Sequence, residues 1–143
     1  MTVEEVVRAR LLMIAAVTAL VATRVYLDKL PQSPTYPCVR VTLISEVSSA
    51  HLRGGDALKP ARIQVDAYAR EVSGVDPYAL VATLAQAING ADDGSGLNGW
   101  RGSLGSPACE IAGIFRVDRR RAYDPEELRV VTMSQDYQVW FRA

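Results

Sequence analysis

Ala61-Arg62-Ile63-Gln64-Val65-Asp66-Ala67-Tyr68-Ala69-Arg70 alternates without a break. Ile63, Val65, Ala67 and Ala69 fall on one side; Arg62, Gln64, Asp66, Tyr68 and Arg70 fall on the other. A period of two marks a strand with one face buried and the other wet. The stretch therefore predicts a sheet with a core side and a polar side. Upstream, residues 38–44 read as a second strand rich in β-branched residues, and the three prolines in residues 31–37 exclude helix before it. Residues 45–60 form a polar loop containing Gly54-Gly55, too long for a tight hairpin turn. Downstream, residues 108–123 and 128–142 read as two further long strands. Tyr123-Asp124-Pro125, extended by Glu126 and Glu127, makes the hairpin turn between them.

Two helical patterns complete the chain. Thr2 followed by Glu5 is a capping box, and the helix it opens runs to about Thr23, with Val3, Val7, Leu11, Ile14, Val17 and Val21 along one stripe. From Leu11 onward the other faces are apolar as well. A helix apolar all round is covered on more than one side, and a second subunit is one source of that cover. Asp76-Pro77 starts the second helix, Leu80, Val81, Leu84 and Ile88 follow at helical spacing, and Asn89-Gly90 ends it. Residues 90–105 carry six of the ten glycines and read as a flexible connection anchored by Leu97 and Trp100. The expected fold is α+β: a mainly antiparallel four-stranded sheet from two β-hairpins, with two helices packed on one face, in the order α-β-β-α-β-β. Residues 1–143 read as a single domain.

Composition narrows the function. The 143 residues are 49% apolar and 22% charged, and sixteen basic residues balance sixteen acidic ones. That balance argues against non-specific adhesion to nucleic acid or membrane, both of which rely on a net positive field. The apolar run 11–22 is shorter than the ~20 residues that span a bilayer. Glu4 and Glu5 spoil it as a signal peptide, so the chain is expected to be cytoplasmic when made. Cys38 and Cys109 lack metal-ligand or redox spacing and read as buried apolar residues.

Catalytic patterns are missing. His51 is the only histidine, it lies in the polar loop, and no serine sits in a GxSxG elbow. The paired carboxylates Glu4-Glu5, Asp92-Asp93 and Glu126-Glu127 occupy a helix start, the glycine-rich stretch and a turn. Gly94-Ser95-Gly96 lacks the lysine of a phosphate loop. No catalytic, cofactor-binding or metal-binding residue is expected, and no enzyme activity.

Two polar features remain. Asp118-Arg119-Arg120-Arg121 puts charge on both faces of a strand end, either as a solvated end or as an intersubunit or nucleic-acid-facing cluster. The second face of the sheet shows Arg62, Gln64, Asp66, Tyr68 and Arg70 from one strand. It adds Thr132, Ser134, Asp136, Gln138, Trp140 and Arg142 from the last. Mixed charge signs with aromatics suit a solvated face, a wet interface or a channel wall.

Six segments in order resemble the small phage tail-completion, or tail-terminator, proteins. They are the opening apolar helix ending in Arg24-Val25-Tyr26, Leu30-Pro31-Gln32 leading to Tyr36-Pro37-Cys38-Val39, and Ala61 through Tyr68. A helix at 78–88, residues 118–125, and Gln135-Asp136-Tyr137-Gln138-Val139-Trp140-Phe141 follow. Residues 91–107 depart from the family by being longer than its connector. The resemblance implies a structural virion protein, assembled in the host cytoplasm. It would form a homo-oligomeric, usually hexameric, ring on the head-proximal end of the tail tube. There it stops tube polymerisation and joins tail to head. The implied partners are further copies of the chain, the tail tube protein and the head connector protein. DNA passes through without specific binding, and no membrane or cofactor is involved. On this reading Asp118, Arg119, Arg120 and Arg121 form a subunit interface, in which the arginines pair with a neighbour's carboxylates. Arg62, Asp66, Arg70, Asp136 and Arg142 face the bore or a seam, and His51, Arg53 and Asp56 belong to a tube-contacting loop. The alternatives are another head-tail connector or tail-tube component, or a stand-alone α+β binding module.

Overall fold

The computed structural model of the chain describes residues 1–47, 58–72, 74, 76–123 and 129–142. Helices α1 (Val3–Leu11) and α2 (Ala15–Val21) lead into β1 (Val25–Leu27), β2 (Cys38–Glu46) and β3 (Lys59–Arg70). Helix α3 (Pro77–Asn89), β4 (Gly102–Leu104), β5 (Cys109–Tyr123) and β6 (Val130–Arg142) follow. The strands form one six-stranded sheet in the order β1-β2-β3-β6-β5-β4. β1 runs parallel to β2; every other neighbouring pair is antiparallel.

This corrects the expected four-stranded antiparallel sheet with two helices. Among the described residues the sheet is six-stranded and mixed, and it carries three helices. β1 and β4 are three residues each, too short to leave a period in the sequence. The opening helix is broken. Leu12 caps α1, Met13 is 60% exposed, and Ile14 takes an extended backbone (φ −87°, ψ 110°) before α2 begins. A straight helix over residues 3–23 would run about 31 Å. Breaking it keeps α1 on β1 and β2 while α2 turns to lie against α3. The segment is not apolar all round in use: Ile14, Val17 and Val21 are buried, and Ala15, Ala16 and Ala19 face solvent. The turn between β5 and β6, with Asp124, Pro125, Glu126 and Glu127, lies outside the described residues.

The three helices and one sheet face enclose a single apolar cluster. Val39 and Val41 of β2, Ile63, Val65, Ala67 and Ala69 of β3, and Val139 and Phe141 of β6 meet Val6, Val7 and Leu11 of α1 and Leu84 and Ile88 of α3. Two polar side chains of β6 and α3 are buried there with partners. Gln135 Nε2 donates to the Ala85 carbonyl (3.0 Å), and Tyr137 Oη donates to Asn89 Oδ1 (3.1 Å). Both bonds pin α3 to the middle of the sheet. No helix among the described residues is long and apolar enough to cross a membrane.

Residues 90–105 are built rather than slack. Leu97 is fully buried, its N–H donates to the Ile88 carbonyl, and Asn98 N–H donates to the Asn89 carbonyl. Arg10 of α1 clasps the loop: its Nη2 donates to the carbonyls of Gly94, Ser95 and Gly96, and its guanidinium lies 5.1 Å from the Trp100 ring centroid. Gly96 approaches the end of α3 so closely that an added Cβ would sit 2.5 Å from the Asn89 carbonyl atoms. Gly96→Ala should therefore cost about 3 kcal/mol, the upper range for overpacking against atoms that cannot move aside. Gly74 has φ +80° and open space around it, so Gly74→Ala should cost only about 1 kcal/mol. Urea unfolding of both variants checks the pair; equal losses would mean that the loop yields.

Candidate functional site

The face of the sheet away from the helices is organised by strand register. One row across the four long strands reads Arg40, Asp66, Ser134, Arg120; the next reads Thr42, Gln64, Asp136, Asp118. Each carboxylate thus has an arginine beside it or on the diagonal, within reach of a long side chain.

The side chains close one connected network. Asp66 Oδ2 accepts from Arg40 Nε (3.0 Å) and Nη2 (2.7 Å), while its Oδ1 accepts from Gln64 Nε2 (2.8 Å) and Ser134 Oγ (2.5 Å). Asp136 Oδ2 accepts from Arg62 Nη2 (2.7 Å) and Arg120 Nη1 (3.2 Å). Arg120 also reaches Asp118 (3.0 Å), and its Nη2 donates to Gln64 Oε1 (3.0 Å), which links the two halves. Asp66 and Asp136 are 1% and 4% exposed. Burial would lower the Arg40 pKa, but its hydrogen bonds to Asp66 and the charges of Tyr68, Asp66 and Asp28 hold it above the ordinary value. The Arg120 guanidinium is likewise raised, chiefly by its hydrogen bond to Asp136. Three arginines (Arg40, Arg62, Arg120) face three aspartates (Asp66, Asp118, Asp136). The arrangement neutralises itself.

Of the residues expected on this face, Arg62, Asp66 and Asp136 come together. Arg142 lies at one end, paired with Glu110 at 3.6 Å, and Arg70 at the other, opposite Val130. Near Arg70 the face turns apolar, where Cys38, Tyr68 and Val130 are covered by Tyr26, Leu30 and Tyr36. Both cysteines are free and buried, and burial pushes the Cys38 thiol up to about 11.

The arginine cluster divides between the two faces. Arg120 belongs to the network and finds its carboxylates in its own chain. Arg119 and Arg121 sit opposite Gln135 and Met133, on the helix side of β5. Arg121 stacks over the Tyr78 ring at 5.0 Å, and Arg119 is exposed. His51, Arg53 and Asp56 lie outside the described residues.

Sequence reading missed Arg40. Its signal was the interruption of Cys38-Val39-Arg40-Val41, which places a cation on the polar side of β2. Among the described residues no group of three or more His, Cys, Asp and Glu is placed to hold a metal.

Comparison with known proteins follows the same lines. The sequence profile of the family described as "Tail completion protein gp17" matches residues 5–142. No curated protein matches the chain in sequence. Among solved structures, a chain of "Virion of native gene transfer agent (GTA) particle" is similar, with a TM-score of 0.54 and 16% identity over 95% of this chain and 94% of that one. At that identity the likeness is one of fold.

Proposed function

The chain belongs to the tail completion protein gp17 family, and from that premise we propose that it forms a homo-oligomeric ring, hexameric when complete, at the head-proximal end of the tail tube. The family makes it a structural, tail-related protein of the virion. In the proposed role the ring stops tube polymerisation, presents a surface to the head connector, and lets DNA pass. Its partners are further copies of itself, the tail tube protein and the connector protein.

The observation that carries the reading beyond the family is the self-neutralised polar face. We place that face, with Arg62, Asp66, Arg70, Asp136 and Arg142, toward the bore. A wall of unopposed cations would hold DNA by releasing its counterions. Here each buried carboxylate is matched to arginines of its own chain, so the wall is wet without being adhesive. Arg119 and Arg121 are left at the strand edge for a neighbouring copy, with Asp118 and Arg120 behind them.

Electron microscopy of tails assembled with and without the chain tests the proposal. With it, extra density should cap the head-proximal end of each tail. Without it, tails should overrun their normal length and fail to join heads. Tails of normal length that join heads in its absence would overturn the role, and density along the whole tube would favour a tube component instead.

A further inference from the structure

The open edges of the sheet carry a more specific inference, which rests on the ring proposed above. β1 covers only Val39, Val41 and the residue between them on β2, and Asp28 N–H then closes on the Val41 carbonyl. Among the described residues nothing pairs with the outer side of β2 at 42–46. At the opposite edge β4 covers β5 from Cys109 to Ile111, while Gly99 N–H and Asn98 Oδ1 engage Ile114 and Arg116. From Arg119 to Tyr123 the outer side of β5 has no strand beside it among the described residues. The Arg119 N–H is met by its neighbour Asp118 Oδ1 at 2.9 Å. Unpaired strand edges are templates for another strand.

We infer that the seam between copies is an antiparallel strand pair, residues 42–46 of one copy against residues 119–122 of the next, with Glu46 on Arg119. Direction, side-chain phase and charge all fit. β2 and β5 run oppositely, so joining them continues the antiparallel alternation of the four long strands. Glu46 pairs with Ala61, and Arg119 with Gln135, which puts both on the helix side of the sheet. Both are exposed. β2 bulges between Leu43 and Ser45, with Ile44 the extra residue, so placing Glu46 opposite Arg119 sets Ser45 against Arg120, Leu43 against Arg121 and Thr42 against Ala122 on the polar side, and brings Arg121 onto the diagonal. An anion from one copy then meets two cations from the other, a favourable cross-strand arrangement.

The register also states how copies step. Within one copy Ala122 shares a row with Thr132, Tyr68 and Cys38. Across the seam it faces Thr42, four residues farther along β2 than Cys38. Each copy is therefore displaced by about 13 Å along the strands for about 19 Å of sheet width, taking four strands per copy. A ring closes on that stagger when its strands lean by about 35° from the axis, within the inclination usual for closed sheets. The contact is heterologous, joining two different edges, so it closes into a ring or runs on as a filament.

The test is a Glu46→Cys/Arg119→Cys double variant, oxidised both as free protein and in assembled tails. The native thiols are buried and do not compete. The double variant should give a ladder of covalent multimers beyond the dimer, and each single variant none beyond the dimer. Glu46→Arg alone should lower assembly at least tenfold, and Glu46→Arg/Arg119→Glu should restore it. Capped tails with no ladder would overturn the seam and leave the ring standing. A ladder on open filaments, with no caps, would keep the seam and remove the ring. Monomers throughout, in both preparations, would overturn both.

Discussion

Asp66→Ala is expected to lower the free energy of unfolding by about 3 kcal/mol, with the chain still folded in the absence of denaturant. Asp66 is 1% exposed and accepts four hydrogen bonds, two of them from one guanidinium. Breaking a buried pair by removing one partner costs about 3–5 kcal/mol when the other charge is stranded. Arg40 is not fully stranded, because its side chain is 32% exposed and turns to water, which places the loss at the low end. Gln64 and Ser134 each lose an acceptor as well, at about 1 kcal/mol apiece before they find water. Arg142→Ala supplies the contrast. Its contact with Glu110 is 3.6 Å long with both side chains half exposed, so its removal should change stability by less than about 0.5 kcal/mol. Urea unfolding measures both. If Asp66→Ala costs as little as Arg142→Ala, the polar face is an ordinary solvated surface and not a built network.

The division of the sheet into two faces was legible because β3 is long and alternates strictly. Ile63, Val65, Ala67 and Ala69 are all fully buried against the helices, while Asp66 and Arg62 lie on the other side. Alternation reports which side a residue takes, and it does not report what covers that side. Asp66 reads as an outward polar residue and is buried all the same, because Arg40 and Ser134 close over it from the adjacent strands. Register between strands decides that, and register depends on contacts distant in sequence. The same holds for Arg120. Its neighbours along the chain make it look like part of a uniform basic cluster. Only the pairing of β5 with β6 brings it to Asp136 and parts it from Arg119 and Arg121.

The elements that escaped the sequence are those whose stability is borrowed. β1 exists because Val25, Tyr26 and Leu27 lie beside β2, and β4 because the glycine-rich loop returns its chain to β5. Neither has enough residues to carry a period. The loop itself combines many glycines with Asp, Asn and Ser, a composition shared by slack linkers and tight turns. What separates the two is Arg10, over eighty residues away, whose guanidinium organises three successive carbonyls. The helix break at residues 12–14 is a tertiary effect too, since Leu12 and Met13 are good helix formers and only the separate destinations of α1 and α2 part them.

Asp66→Asn/Asp136→Asn is expected to convert the face proposed to let DNA pass into one that retains it. Asparagine keeps the shape of aspartate and one acceptor oxygen, so the double variant should fold, with a smaller loss than Asp66→Ala. Its effect is on charge. Among the described residues Asp118 would then be the one ion-paired carboxylate left to Arg40, Arg62 and Arg120, with Asp28 acting on Arg40 only from a distance, leaving two cations per copy without a paired carboxylate. Neutralising two phosphates gives a dependence of log affinity on log salt with a slope of about −2 per copy, and a ring presenting the same face from every copy multiplies the attraction. The parent chain should show no retention of double-stranded DNA at low salt. The variant should bind and release again as salt is raised. In particles, DNA transit should slow while tail length stays normal, because the substituted residues lie away from the strand edges proposed for the seam. Equal DNA binding by parent and variant would mean that the face is closed to DNA. Normal transit despite tighter binding in solution would place it elsewhere than the bore. A conduit needs a wall that is polar enough to stay wet and balanced enough not to hold its cargo. In the bore proposed for this chain those requirements would fall on Asp66 and Asp136, each buried so that it neutralises arginines that remain partly in water.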